Sequence, residues 1–173
     1  MMLLMKFKAL ITDLDYTLVF LPIDWEKLRE EVRKILKTSH PLKPLASSIP
    51  VAAKGDKRLI EKAFKYIEEV EFRASETVKY NRELVDFFKK LKDRGLKIGL
   101  VTLQGLRPAR NTLRKLGILE FFDVIVTRED SLSRKEQILI ALRKLNVKAS
   151  ETIFVGDSVT DSKAGKELGI YTV

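Results

Sequence analysis

Leu96-Lys97-Ile98-Gly99-Leu100-Val101-Thr102 is the stretch that decides the fold. A short, mostly apolar run that ends on a polar residue reads as a buried strand. Just before it, Leu84, Val85, Phe88 and Leu91 form an apolar stripe at helical spacing that stops at Gly95, a good helix C-cap; just after it, Pro108 stands where the first turn of another helix should begin. The same alternation extends outward. Phe7 to Thr12, Val124 to Val126, Thr152 to Val155 and Gly169 to Val173 are further strand-like runs, while Ile138, Leu139, Leu142 and Leu145 stripe one helix and Asp161 to Leu168 reads as a shorter one before Gly169. Strand and helix alternating from Asn81 onward predict an α/β fold: a doubly wound parallel sheet of about five strands covered by helices on both faces.

Residues 19–80 break that rhythm, because they separate the first strand from the second by far more chain than one crossover helix requires. They are expected to form a small α-helical cap inserted after the first strand, with 1–18 and 81–173 as the core. Two helices are expected there, one striped by Trp25, Leu28, Val32, Ile35 and Leu36 after Asp24, the other by Ile60, Ala63, Phe64, Ile67 and Val70 after Asp56. Between them His40, Pro41, Pro44, Ser47, Ser48, Pro50 and Gly55 resist regular structure and suit a mobile or substrate-facing loop.

Composition narrows the chemistry. The chain has 173 residues, no cysteine and one histidine, His40, which excludes a disulfide framework, a thiolate metal site and a cysteine nucleophile and argues against a multi-histidine metal cage. The apolar start Met1–Met5 is cut off by Lys6, too short for a signal peptide, and no stretch approaches a membrane span, so a cytoplasmic location and no membrane partner are expected. Thirty-three Lys and Arg against 24 Asp and Glu give a net charge of +9. The cations alternate with acids at helical spacing, as in Lys89, Lys90, Lys92 and Arg94, which reads as solvated helix faces; nucleic acid is not an expected partner, whereas small anions are.

Polar residues collect where the strands end. Asp13 and Asp15 follow the first strand two residues apart, a spacing that places both carboxylates on one side of extended chain. Thr102 follows the second strand, and Gly156, Asp157 and Asp161 follow the fourth. In open α/β sheets that edge is where ligands bind. Carboxylates converging there repel one another by about 4 kcal/mol per pair at 4 Å in an effective dielectric of 20, so a cation is implied, and a donor set of oxygens alone favours Mg²⁺. A basic side chain is also needed to offset the charge; Lys135 lies in the right stretch, with Arg134 its competitor.

These residues resemble the four motifs of the haloacid dehalogenase superfamily: Asp13-Leu14-Asp15-Tyr16-Thr17-Leu18, then Thr102 after Ile98-Gly99-Leu100-Val101, then Lys135, then Gly156-Asp157-Ser158-Val159-Thr160-Asp161. The resemblance spans nearly the whole chain, and its core is most like the phosphoglycolate phosphatase branch. It implies a Rossmann-like core and a phosphatase acting on a small phosphorylated metabolite. By the same resemblance Asp13 is the nucleophile that forms an aspartyl-phosphate, and Asp15 is the acid and base. Thr102 and the Leu103 amide hold phosphate oxygens, and Lys135 steadies Asp13 and the phosphoryl charge. Mg²⁺ is held by Asp13, the Asp15 carbonyl and Asp157, with Asp161 as a ligand or close by. Asp15 sets the chain apart from the family's dehalogenases, which lack that second aspartate. Two departures stand out: Tyr16 where the family usually has Gly or Asn, and Glu136 where a proline usually follows the lysine. A phosphomutase would use the same aspartates, and a basic module that binds without catalysis is the alternative of a different class.

Overall fold

A computed structural model describes residues 7–173, and the apolar start Met1–Met5 lies outside them. Five strands, β1 (Ala9–Thr12), β2 (Lys97–Val101), β3 (Val124–Val126), β4 (Thr152–Val155) and β5 (Tyr171–Thr172), form one parallel sheet in the order β3-β2-β1-β4-β5. Every ladder is parallel, with Ile11 of β1 opposite Gly99 of β2 on one side and Phe154 of β4 on the other. This is the doubly wound α/β fold that the alternation predicts.

Burial follows from position in the sheet. Every residue of β1, the central strand, is buried, and because successive side chains point to opposite faces, Ala9 and Ile11 enter one apolar cluster and Leu10 the other. On the first face Ile138, Ala141 and Leu145 of α6 (Arg134–Leu145) and Ala164 of α7 (Val159–Leu168) cover the sheet. On the second, Phe88 and Leu91 of α4 (Arg82–Asp93) and Leu113 and Leu116 of α5 (Leu106–Leu116) do so. Fully burying each of these Ile, Leu and Phe side chains is worth about 1.5–3 kcal/mol. At Gly99 on the α6 face a Cβ would crowd the Leu145 side chain at 3.2 Å, so a larger residue there needs Leu145 to shift.

Three helices, α1 (Trp25–Leu36), α2 (Leu45–Ala52) and α3 (Lys57–Ser75), lie between β1 and α4 in the chain. Asp24 caps α1 and Asp56 caps α3, each accepting from backbone amides of the first turn. Their apolar faces make a third cluster around Val32, Leu42, Ile49, Ala63 and Ile67. Here the structure corrects the expectation of two helices and a loop: the Pro- and Ser-rich segment contains α2. Leu42 and Ile49 are wholly buried against α1 and α3, and this burial outweighs the helix-breaking composition, including Pro50 within α2. The far half of α3 is tied to the sheet's own helices, because Asn111 of α5 donates to Ser75 at 2.7 Å and to Glu76 at 2.6 Å.

Among the described residues no helix is long and apolar enough to cross a membrane. The strand order reverses at β1, so the connections leaving β1 and β4 run to opposite sides and a crevice opens beyond their carboxyl ends, where this fold class binds ligands.

Candidate active site

The chain leaves β1 in a tight turn: Tyr16 N–H donates to the Val19 carbonyl at 2.8 Å and Leu18 N–H to the Leu14 carbonyl at 2.9 Å. Asp13 stays inside, 4% exposed, its amide bonded to the Val155 carbonyl of β4, while Asp15 is half-buried at the crevice. From β4, Gly156 leads to the exposed Asp157. A Cβ at Gly156 would sit 2.7 Å from the Asp161 carboxylate, so only glycine lets this loop fold back so closely. Asp161 lies within the first turn of α7, where its Oδ2 accepts from Ser158 N–H at 3.2 Å and Ser158 Oγ at 2.7 Å while Ser158 Oγ accepts from the Asp161 amide: a capping box.

The cation that meets these acids is Arg134. Its Nη2 stands 2.9 Å from Asp13 Oδ1 and its Nε 2.8 Å from Asp161 Oδ1, with both carboxylates buried and the guanidinium largely covered. Lys135 is not brought to the site: its Nζ reaches Glu167 of α7 at 3.1 Å, and the side chain is half exposed. Helical phase explains the exchange. At about 100° per residue the stripe Ile138, Leu142 and Leu145 lies midway between positions 134 and 135, so it does not choose between the neighbours; the buried Ala141 turns the core face of α6 toward 134 and leaves 135 farther from its centre.

Thr102 is wholly buried, its Oγ1 accepting from the Gln104 amide at 3.1 Å and its carbonyl from Gln137 Nε2 at 2.7 Å. Gln137, one turn beyond Arg134, thereby ties the start of α6 to the end of β2. Three residues that sequence reasoning missed complete the setting. Gln104 donates from Nε2 to Asp15 Oδ1 at 2.7 Å. Glu71 of α3 and Arg128 form a buried pair at 2.8 Å, in which Glu71 also accepts from the Gly105 amide at 3.2 Å and Arg128 donates to the Leu103 carbonyl at 3.2 Å. Helix α3 therefore grips both sides of the loop that carries Leu103 and Gln104. Gln104, two residues past a strand-ending Thr, had a positional signal; Glu71 and Arg128 lie 57 residues apart in sequence and had none.

Burial dominates the electrostatics. It pushes the Asp13 carboxyl up to about 7, against Arg134 pulling it down and with Asp161 pushing it further up. Asp15 is raised to about 6 by burial, opposed by the Gln104 hydrogen bond and Arg134. Glu71 is raised to about 7 by burial against the pull of Arg128. Asp15, held near neutrality at the crevice, is suited to proton transfer at ordinary pH. Carboxylate oxygens of Asp13, Asp157 and Asp161 also lie within 4.8 Å of one another, and a cluster of oxygens with neither nitrogen nor sulfur suits a hard divalent cation. Both Asp161 oxygens already face Ser158 or Arg134, so that carboxylate is placed to hold its neighbours as much as an ion.

A parallel doubly wound sheet with an acid-lined crevice at its switch point defines an α/β protein with a ligand-binding crevice at its strand ends. The chain belongs to the haloacid dehalogenase-like hydrolase family, which it matches over residues 29–173. Asp13 and Asp15 precede that span, so their place in the site rests on the geometry. A putative pyrophosphatase of Clostridium perfringens is 31% identical over 95% of this chain and 82% of its own length. A glyceraldehyde 3-phosphate phosphatase of Methanocaldococcus jannaschii is 42% identical over 49% of this chain and 39% of its own. Among solved structures, a predicted phosphoglycolate phosphatase of Haemophilus somnus shares the fold with a TM-score of 0.66 at 16% identity, covering 96% of this chain and 84% of that one. A putative β-phosphoglucomutase of Thermotoga maritima does so at 0.60 and 24%, covering 94% and 82%.

Proposed function

We propose that the chain is a divalent-metal-dependent phosphatase that hydrolyses a small phosphate ester through an aspartyl-phosphate, with 1–18 and 81–173 as catalytic core and 19–80 as a cap. The observation that carries this reading is the buried Asp13, ion-paired to Arg134 and beside Asp161 at the end of the central strand. It supplies a nucleophile, a cation for phosphoryl oxygens and a group that holds that cation in place.

Asp13 Oδ attacks phosphorus in line, forming an Asp13 O–P bond as the bond to the leaving oxygen breaks. Asp15, held by Gln104, carries the proton near neutral pH and delivers it to that oxygen, so the product leaves as a neutral alcohol. Water then attacks the same phosphorus while Asp15 takes its proton, and the bond to Asp13 breaks to release phosphate. Arg134 and the Leu103 amide stabilise charge on the equatorial oxygens, and Thr102 shapes the loop that presents that amide. Asp13, the Asp15 carbonyl and Asp157 would hold Mg²⁺, which neutralises charge shared by the nucleophile and the phosphoryl group. Lys135 has no part in this scheme, and Asp161 acts through Arg134 and the Asp157 loop.

Hydrolysis of p-nitrophenyl phosphate with and without Mg²⁺ tests the reading. Metal-dependent turnover that disappears in Asp13→Asn and Asp15→Asn supports it. No turnover by the wild-type chain on this or a panel of phosphorylated metabolites would sink it.

A further inference from the structure

The crevice continues into a cavity of about 520 Å³ between the strand-end loops and helices α1–α3, lined by Asp15, Gln104 and Leu103 on one side and by Trp25, Ile67 and Leu45 on the other. Tyr16 stands at its edge in an unusual conformation. Its φ is 59°, the left-handed region that a bulky side chain enters at a cost, and such strain persists where surrounding structure demands it. What it achieves here is placement: the Tyr16 hydroxyl accepts from Trp25 Nε1 at 3.2 Å, so two aromatic rings, one from the turn after β1 and one from α1, stand together on the lining next to Asp15.

The charges of the lining nearly cancel. Glu71 and Arg128 neutralise each other, which leaves Asp15 and Arg29. Arg29 pairs through Nη1 with the exposed Glu26 at 2.8 Å, and its buried Nε has no acceptor. A doubly charged leaving group such as phosphate would meet apolar walls and no net positive charge, and would lose hydration without repayment. An organic alcohol, neutral once Asp15 has protonated it, meets no such penalty.

Resting on the phosphatase reading above, we propose that this cavity is the leaving-group subsite. It selects organic phosphate monoesters that present a flat or apolar face to Tyr16 and Trp25 and an oxygen to Arg29, in preference to inorganic pyrophosphate.

Trp25 is the only tryptophan, so its fluorescence reports the subsite directly. Phenyl phosphate and methyl phosphate, equal in charge, are titrated against the Asp13→Asn chain, and kcat and KM for both and for pyrophosphate are measured on the wild type. Phenyl phosphate is expected to shift Trp25 emission and bind about tenfold tighter than methyl phosphate, the value of one largely buried ring face. Its kcat/KM should exceed that of pyrophosphate by about tenfold or more. Tyr16→Gly, which suits the positive φ and so keeps the turn, should lower the phenyl-to-methyl affinity ratio about fivefold, and Tyr16→Phe, which keeps the ring but loses the bond to Trp25, should fall between the two. Equal affinities for the two esters, or a preference for pyrophosphate, would overturn the proposal. If no phosphate is turned over, the phosphatase reading falls, while the Trp25 titration still decides the subsite.

Discussion

The two walls of the crevice differ in kind. On the strand-end side the polar side chains are tied to one another, Asp13 and Asp161 to Arg134, Asp15 to Gln104, and Thr102 to Gln104 and Gln137, while the buried Gln104 Oε1 has no hydrogen-bond partner. On the helical side the lining is mostly apolar, with the Trp25 ring, Arg29, and Glu71 already paired to Arg128. The first wall is built to hold a single charge pattern rigidly, because a misplaced donor costs catalysis steeply. The second can vary without disturbing that pattern, since its helices bury their own cluster. The difference teaches that the reacting groups and most of the helical wall sit on separate pieces of chain, with Tyr16 beside Asp15 bridging the two, and that the pieces are joined by the Glu71–Arg128 pair and by Asn111 with Ser75 and Glu76.

Breaking the first wall should have the largest effect. Asp13→Asn is expected to lower kcat by about 10³-fold or more, read by phosphate release, because the replacement is not a competent nucleophile. Breaking the joint comes next. Arg128→Met strands Glu71 in the interior and should cost about 3 kcal/mol by urea unfolding, whereas adding Glu71→Leu should recover much of it, since the unpaired buried charge is then gone. The neighbouring cations of α6 sharpen the contrast within one helix turn: Arg134→Ala should lower kcat/KM about 10²-fold, and Lys135→Ala, at a solvent-exposed pair, should change it less than twofold.

A smaller effect follows from acidity. Asp13 and Asp15 hold their protons more tightly folded than unfolded, so between about pH 4 and pH 7 the native state binds more protons and stability falls as pH rises. The metal-free protein should therefore melt several degrees lower at pH 8 than at pH 5. Asp13→Asn, or millimolar Mg²⁺ at pH 8, should flatten that slope in thermal melts.

Particular residues show what could be read in advance. The five strands and the helices between them were legible because buried parallel strands are continuous apolar runs and their covering helices are striped, both local signals. Asp13, Asp15, Thr102, Asp157 and Asp161 could be picked out as a group because strand ends are fixed points of this fold; the structure brings oxygens of Asp13, Asp157 and Asp161 within 4.8 Å of one another and links Thr102 to Asp15 through Gln104. Helix α2 was not legible: Pro44, Pro50 and the serines carry the wrong local preference, and only contact with α1 and α3 reverses it. Gln104 had a weak signal, Glu71 and Arg128 none.

The sequence by itself determined the sheet, its winding and the acids at its edge, because periodicity and strand termini are encoded within a few residues. Only the tertiary structure decided that Arg134 rather than Lys135 meets Asp13, that Glu71 reaches Arg128, and that Tyr16 and Trp25 share one wall. Those outcomes depend on a helix's rotation about its axis and on distances between segments remote in sequence, which no local pattern carries.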